Sequence, residues 1–229
     1  MRIDIWSDIA CPFCYIGKRH LEAALEAAGT KAEVVWHSFE LDPTPRSASV
    51  DTDIVAVLMA KYRQSRAQTE AMVGRVVEMG AQAGLQFQFQ GSVRVNTFDA
   101  HRTLHLAAES GRQDAAKERL LAAYFTEGAD LSDPTVLAEL LAEVGIAPES
   151  VLAALSGDDY ADAVRTDEQM AKQLSIQGVP YFVFNQKYAL SGAQPVDAFQ
   201  RVIAQCQADA PPEPVAITSD ACAPDGCEV

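Results

Sequence analysis

Two cysteines separated by two residues stand near the start of the chain, in the segment Cys11-Pro12-Phe13-Cys14. A strand-like run precedes them and a helical pattern follows them, and a CxxC at such a junction is typical of thioredoxin-like redox sites. A thiolate at a helix N-terminus is stabilised by unpaired backbone N–H groups and by the helix dipole. We therefore expect Cys11 to have a lowered pKa and to attack disulfides, and Cys14 to resolve the mixed disulfide.

Residues around this pair and far downstream of it are candidates for substrate contact. Pro12 sets the direction of the helix without removing a needed donor, and Phe13 places an apolar side chain beside the nucleophile. The segment Gly178-Val179-Pro180 precedes a second apolar strand. A cis X–Pro bond there would turn the backbone so that it can pair with a bound peptide, whereas taken alone the segment equally suits a trans proline at an edge strand. With a CxxC upstream, we expect the cis form.

A second cysteine pair, Cys222 and Cys227, encloses Ala-Pro-Asp-Gly near the C-terminus. Proline and glycine favour a turn that brings the two thiols together, and an exposed loop of this size would form a labile disulfide. Our hypothesis is that this dithiol exchanges with the first pair or acts as a second redox centre. Metal capture and a tail without function are the alternatives. A zinc site built from both pairs would make the chain a non-catalytic interaction module.

The remaining chemical candidates are interpreted as structural. Cys206 follows an apolar helical pattern and is expected to be a core thiol or an inert surface thiol. His101 and His105 are four residues apart, a spacing that can bind a metal ion, but no third ligand accompanies them in sequence. We therefore expect packing roles and no metal site. Asp8 lies next to the redox helix and is a candidate to alter the pKa of Cys11.

Composition excludes several functional classes. The chain has 229 residues with 18 Lys and Arg against 32 Asp and Glu, a net charge of −14 that argues against nucleic acid as a partner. No run approaches the ~20 apolar residues that span a membrane, and no signal-peptide pattern is present, so we expect a cytoplasmic protein. Structural disulfides are rare there, which favours reactive cysteines. The choice between monomer and homodimer stays open.

Hydrophobic periodicity predicts an α/β fold. An alternating run over residues 2–6, a helical pattern to about residue 28 and an apolar run over 31–41 give β-α-β, the opening of a thioredoxin-type sheet. The third segment is apolar on both faces, which is expected for a central strand. Strand character returns at 180–184 and 187–190, which a two-residue turn separates, and a closing helix follows.

The middle of the chain has almost no period-two pattern and is rich in helix signals. Ser65 with Gln68 forms a capping box, Asp133-Pro134 begins a helix, and residues 53–62 predict a short amphipathic helix. We therefore predict a thioredoxin fold with an inserted all-helical domain. Its parts are a thioredoxin-like domain of residues 1–48 and 175–206, a helical insertion of 49–174, and a flexible tail of 207–229 with the CX4C pair.

The segment from Ser7 to Gly17, SDIACPFCYIG, resembles the signature of the DsbA-like thioredoxin superfamily, and in particular its FrnE-type branch of dithiol–disulfide oxidoreductases and isomerases. Further segments match that branch: Asn96-Thr97, Ala100-His101-Arg102, GVPYF over 178–182 and SGAQ over 191–194. The resemblance covers about residues 1–206. It implies a thioredoxin fold with a helical insertion, a nucleophilic Cys11, a resolving Cys14 and a cis Pro180. The CX4C tail resembles that of some FrnE-type proteins.

The resemblance also frames the expected activity. It implies a thiol–disulfide oxidoreductase with isomerase capability that acts on protein or peptide thiols and disulfides. No bound cofactor is implied beyond the redox-active disulfide, with glutathione as a candidate co-substrate. Hydroxychromene-carboxylate isomerases and kappa-class glutathione transferases belong to the same superfamily and act on small hydrophobic molecules. They typically carry serine where this chain has Cys11, so the two cysteines favour the oxidoreductase.

Overall fold

The computed structural model describes residues 1–44, 53–89 and 95–209. In these ranges the strands are β1 (Arg2–Ser7), β2 (Glu33–Ser38), β3 (Tyr181–Phe184) and β4 (Tyr188–Ser191). The helices are α1 (Pro12–Ala27), α2 (Ile54–Tyr62), α3 (Arg66–Gln82), α4 (Phe98–Glu109), α5 (Gln113–Ala122), α6 (Pro134–Ala142), α7 (Pro148–Ser156), α8 (Ala161–Gln173) and α9 (Val196–Ala208). A π-helical turn, Ala123–Glu127, continues α5. No helix in this part of the chain combines the length and the apolar character that a bilayer span requires.

The four strands form one mixed sheet in the order β2-β1-β3-β4. β1 runs parallel to β2, and the other two pairs are antiparallel. The predicted β-α-β opening and the fold class are confirmed, but the prediction that the second strand is central is wrong. β2 lies at the sheet edge, where the Gln113 side chain accepts from the Trp36 N–H at 3.0 Å and donates to the Trp36 carbonyl at 2.9 Å. Because α5 covers this edge, an edge strand here can be apolar on both faces.

Helices cover both faces of the sheet. On one face Ile3 and Ile5 of β1 pack with Phe182 of β3 and with Phe199 of α9, and all four side chains are fully buried. The Phe182 and Phe199 rings meet edge to face with centroids 4.9 Å apart. On the other face Trp6 packs near Ala171 of α8. This alternation of Ile and Trp along β1 holds the strand that leads into the cysteine pair in a fixed register.

The polypeptide between β2 and β3 supplies α2 to α8, as the sequence predicts for its helical segment. Ser65 and Gln68 form the predicted capping box of α3, and Asp133 caps α6 ahead of Pro134. The predicted short helix is present as α2, although none of its residues is fully buried. Ile54, Leu58 and Tyr62 of this helix line a cleft. The predicted domain boundaries remain a prediction.

Candidate active site

The cysteine pair lies where β1 ends and α1 begins. Cys11 is the N-cap of α1, with Pro12 in the first turn, and the Cys14 N–H donates to the Cys11 carbonyl at 3.0 Å. Proline suits this position because its missing N–H would have no helical partner. Cys11 is 3% exposed and lines a cleft, whereas Cys14 is fully buried behind it. An incoming substrate can therefore reach only the first sulfur.

The loop before β3 lies against the pair. The Val179–Pro180 peptide bond is cis, and the Cys11 thiol lies 3.5 Å from the Val179 carbonyl oxygen. Gly17 allows α1 to approach this loop so closely. A Cβ atom on it would lie 3.1 Å from Cγ of Pro180 and 3.0 Å from Cζ of Phe182. Because residue 17 is glycine, the redox helix can lie directly against the proline loop.

The pKa of Cys11 in the structure differs from the sequence prediction. The pKa of Cys11 is raised well above its ordinary value, because its thiol is hydrogen-bonded to Cys14 and because burial disfavours a second anion. Burial also raises the pKa of Cys14, but the bond from Cys11, the Lys117 charge and the Ser7 hydroxyl together lower it. The expectation of a lowered pKa at Cys11 is therefore wrong for this reduced pair. The two hydrogen-bonded thiols titrate as a pair, with the pKa of Cys11 raised and that of Cys14 lowered.

Lys117 of α5 was not predicted as a site residue. Its side chain is fully buried, its ammonium lies 5.3 Å from the centre of the Trp36 ring, and no hydrogen-bond partner from the described residues reaches it. Burial lowers the pKa of Lys117 to about 8, against the opposing charges of Cys14 and Asp8. No sequence signal identifies it, because it stands in the polar run DAAKER at a position that looks solvated.

Asp8 connects the redox turn to the helical part of the molecule. Its Oδ2 accepts from the Leu41 N–H at 2.8 Å, and its Oδ1 accepts from the Thr97 hydroxyl at 2.8 Å and from the Ala10 N–H at 3.3 Å. Nε2 of His101 lies 3.4 Å from the same Oδ1. Burial raises the pKa of Asp8, but these donors outweigh burial and lower it. Asp8 is therefore an ionised anchor for the loop that ends at Cys11.

A largely apolar cleft of about 240 Å³ opens above Cys11. The residues that line it away from the cysteine turn are Leu41, Ile54, Leu58, Lys61, Tyr62, Met72, Val73, Val76, Gln88, Phe89, Tyr124 and Phe125. Phe13, which is predicted to contact substrate, lines this cleft and is 38% exposed. Pro12 also lines the cleft. Apolar walls with a nucleophile at the base suit an apolar segment beside a disulfide.

A substitution in α2 tests whether substrates occupy this cleft. Replacing Leu58 by serine is expected to raise KM for a disulfide peptide with apolar flanking residues by about tenfold, because burying a leucine is worth roughly 1.5–3 kcal/mol. The kcat should change little, since the cysteine pair is untouched. Val55→Ser is the matched control, because Val55 lies on the same helix but does not line the cleft. Equal KM values for both variants would contradict substrate binding here.

The other sequence candidates do not join this site as ligands. His105 lies away from it, 3.0 Å from Ser38 Oγ and 3.2 Å from Asp167 Oδ2, while His101 contacts Asp8. Cys206 is a buried thiol in the core between α9 and the sheet. Among the residues in the described ranges, no group of three or more His, Cys, Asp or Glu side chains could hold a metal ion. The predicted accessory pair, Cys222 and Cys227, lies outside the described residues.

Comparisons with known proteins agree with this geometry. The profile of the family described as DSBA-like thioredoxin domain matches residues 2–204. This chain belongs to that family. The DsbA-like chain is 30% identical over 209 residues to the uncharacterised protein YwbO of Bacillus subtilis, a match that covers 90% of this chain and 98% of YwbO.

Two solved structures share the fold of this DsbA-like chain. The probable DsbA oxidoreductase SCO1869 of Streptomyces coelicolor is 39% identical, with a TM-score of 0.85 and coverage of 100% of this chain and 99% of the other. The cytosolic disulfide reductase DsbM of Pseudomonas aeruginosa, also solved with GSH, shares the fold at 19% identity. Its TM-score is 0.63, with coverage of 91% of this chain and 100% of DsbM.

Proposed function

We propose that the protein is a thiol–disulfide oxidoreductase with isomerase capability, which acts on protein or peptide disulfides through Cys11 and Cys14. The observation that carries the proposal is the placement of the two sulfurs. Cys11 opens into the apolar cleft, and Cys14 lies buried behind it with a lowered pKa. One sulfur can meet the substrate while the other is protected from it until the second step.

The proposed exchange reaction begins with the proton in the hydrogen bond between the Cys11 and Cys14 thiols. The Cys11 proton passes to the Cys14 thiolate, and the Cys11 thiolate attacks one substrate sulfur to form a mixed disulfide and release the other substrate sulfur as a thiolate. That leaving group takes up the proton from Cys14. The Cys14 thiolate then attacks Cys11, which forms the Cys11–Cys14 disulfide and releases the second substrate thiolate. Two electrons pass to the substrate. In isomerisation a different substrate thiol displaces Cys11, with no net electron transfer.

Substrate contacts and co-substrate belong to the same proposal. Pro12, Phe13, Val179 and Pro180 are proposed to contact the substrate, since the first two line the cleft and the Val179 carbonyl lies beside the Cys11 thiol. A thiol such as glutathione would return the oxidised pair to its reduced form. Support comes from DsbM, which has been solved with GSH and is named a cytosolic disulfide reductase. We propose the cytoplasm as the location.

The tail pair extends the proposal. Cys222 and Cys227 would exchange with the first pair or form a second redox centre, as their spacing predicts. Replacing both by serine should then change the turnover of disulfide reduction or isomerisation. Unchanged rates would remove the tail from the mechanism and leave the Cys11–Cys14 chemistry intact.

Catalytic assays on the full chain test the function. The protein should accelerate insulin reduction by a thiol reductant and the refolding of scrambled ribonuclease. Peptide mapping after quenching with acid should show the Cys11–Cys14 disulfide as an oxidised form. Saturable turnover of an aromatic substrate with glutathione, together with no acceleration of either disulfide reaction, would favour the glutathione-dependent isomerase or transferase.

A further inference from the structure

The His37 side chain of β2 lies between two carboxylates on the face of the sheet that carries α8. Its Nδ1 lies 2.7 Å from Oδ1 of Asp167 in α8, and its Nε2 lies 3.0 Å from Oδ1 of Asp4 in β1. A neutral imidazole has one N–H, so it can donate to only one of two ionised carboxylates, whereas an imidazolium donates to both. These distances therefore suit a charged His37 ring.

Both carboxylates are held in the ionised form by other donors as well. Asp4 accepts from Nη2 of Arg2 at 2.7 Å, and Oδ2 of Asp167 accepts from the Ser38 N–H at 2.8 Å. Burial raises the pKa of each carboxyl, but the hydrogen bonds that it accepts outweigh burial and lower it. His37 thus faces two negative charges.

The other neighbours of His37 are an aromatic ring and more distant titratable groups. The Trp6 ring stacks on the His37 ring with centroids 4.4 Å apart, and the face of an indole attracts cations. Nε2 of His105 in α4 lies 3.2 Å from Oδ2 of Asp167, and Lys187, which precedes β4, lines the same groove as His37. Burial lowers the pKa of His37, but the two carboxylates outweigh burial and raise it. The carboxylates and Trp6, which contact the ring, all favour its cation.

The partners of His37 lead to the loop that lies against Cys11. The residues that follow α8 run directly to Val179. The Trp6 indole N–H donates to the Asp167 carbonyl at 3.2 Å, and Trp6 and Val179 pack in one apolar cluster beside the end of α8. The Val179 carbonyl oxygen lies 3.5 Å from the Cys11 thiol. A continuous set of contacts therefore joins the imidazole to the nucleophile.

We propose that His37 is a positioning residue for the active site. Its imidazolium bonds to Asp4 and Asp167 and so fixes α8 on the sheet. The helix in turn holds the Val179–Pro180 loop against Cys11. This inference rests on the proposed exchange function, in which that loop contacts the substrate. Loss of the charge leaves one ring nitrogen without a proton for its carboxylate, so the loop is held less firmly and binds a peptide more weakly.

NMR of the full-length, ¹⁵N-labelled and reduced protein tests the charge. The signals of His37 are those that the His37→Gln variant lacks. At pH 7, above the ordinary value of about 6.5, both ring nitrogens of His37 should carry a proton. A ring with one unprotonated nitrogen at this pH would overturn the proposal without affecting the proposed function.

Kinetics with a disulfide peptide test the positioning. At pH 6.5 the His37→Gln variant should have a KM about fivefold above the parent value with a similar kcat, because the cysteine pair is untouched. The contribution of His37 is fully present below the unfolded value of about 6.5 and is lost as the pH rises through the raised folded value. The ratio of the two KM values should therefore fall toward one at alkaline pH, which a general loss of packing would not produce.

The matched control is His20→Gln, since the His20 ring bonds to the Gln194 carbonyl and not to a carboxylate. Its KM should equal that of the parent. An unchanged KM in a folded His37→Gln variant, or a KM ratio independent of pH, would overturn the proposal. If that variant does not fold, the NMR result and the rise of the parent KM with pH decide. A parent protein that exchanges no peptide disulfide would instead refute the proposed function itself.

Discussion

Replacing Cys14 by serine is expected to leave the protein covalently attached to its substrate. Cys11 can still attack a disulfide, but the serine hydroxyl cannot displace the mixed disulfide that forms. In the absence of added thiol, the mixed disulfide should therefore accumulate. Incubation with a disulfide-containing peptide should give one stoichiometric adduct, mapped to Cys11 by mass spectrometry. Insulin reduction should fall nearly to the uncatalysed rate.

The Cys11→Ser variant provides the opposing result. It should form no adduct with the peptide and should also lose insulin reduction, because the remaining thiol of the pair does not line the cleft. Cys206→Ser is the matched control, since that buried thiol lies in the core beneath α9 and should leave turnover unchanged. An adduct mapped to Cys14 in the Cys11→Ser variant would reverse the assigned roles of the two sulfurs.

The parts of the molecule that the sequence predicted are those that local patterns determine. The cysteine pair, the capping box at Ser65 and the alternation of β1 each depend on residues a few positions apart, and the structure contains all three. The edge position of β2 was missed, because the edge is covered by Gln113, which lies 77 residues further along the chain.

The site residues that were missed come from the same kind of distant contact. Lys117 stands in a polar sequence, and only the packing of α5 against β2 buries it against the Trp36 ring. The pKa of Cys11 was predicted from the helix terminus alone, whereas the hydrogen bond with the neighbouring Cys14 raises it. Asp8 was considered for its closeness in sequence to Cys11, but its role comes from Leu41, Thr97 and His101. Sequence patterns do not reveal such environments, because they are formed by residues that are distant in the chain and meet only in the tertiary structure.

The Asp8→Asn variant should lose about 3–5 kcal/mol of unfolding free energy, the usual cost of breaking a buried charged network. Asparagine matches aspartate in size, but one carboxylate oxygen is replaced by an amide nitrogen, which donates hydrogen bonds. This nitrogen would face a group that donates to the carboxylate in the parent protein. The Leu41 N–H, the Ala10 N–H and the Thr97 hydroxyl cannot all be satisfied by one amide oxygen. Urea unfolding followed by fluorescence of Trp6 and Trp36 measures the loss, since both rings are buried in the sheet.

The pKa of Asp8 determines how the stability difference between the parent and the Asp8→Asn variant changes with pH. The pKa of Asp8 is lowered in the folded protein, so its contribution is fully present above the unfolded value of about 3.9 and is lost as the pH falls through the folded value. The gap between the two proteins should therefore stay constant from pH 5 to 7 and close in acid. Asp197→Asn, which breaks an exposed pair with Arg201, should cost less than about 1 kcal/mol. An Asp8→Asn loss no larger than this control would contradict the anchoring role of Asp8, because the redox turn would then hold its place without the carboxylate.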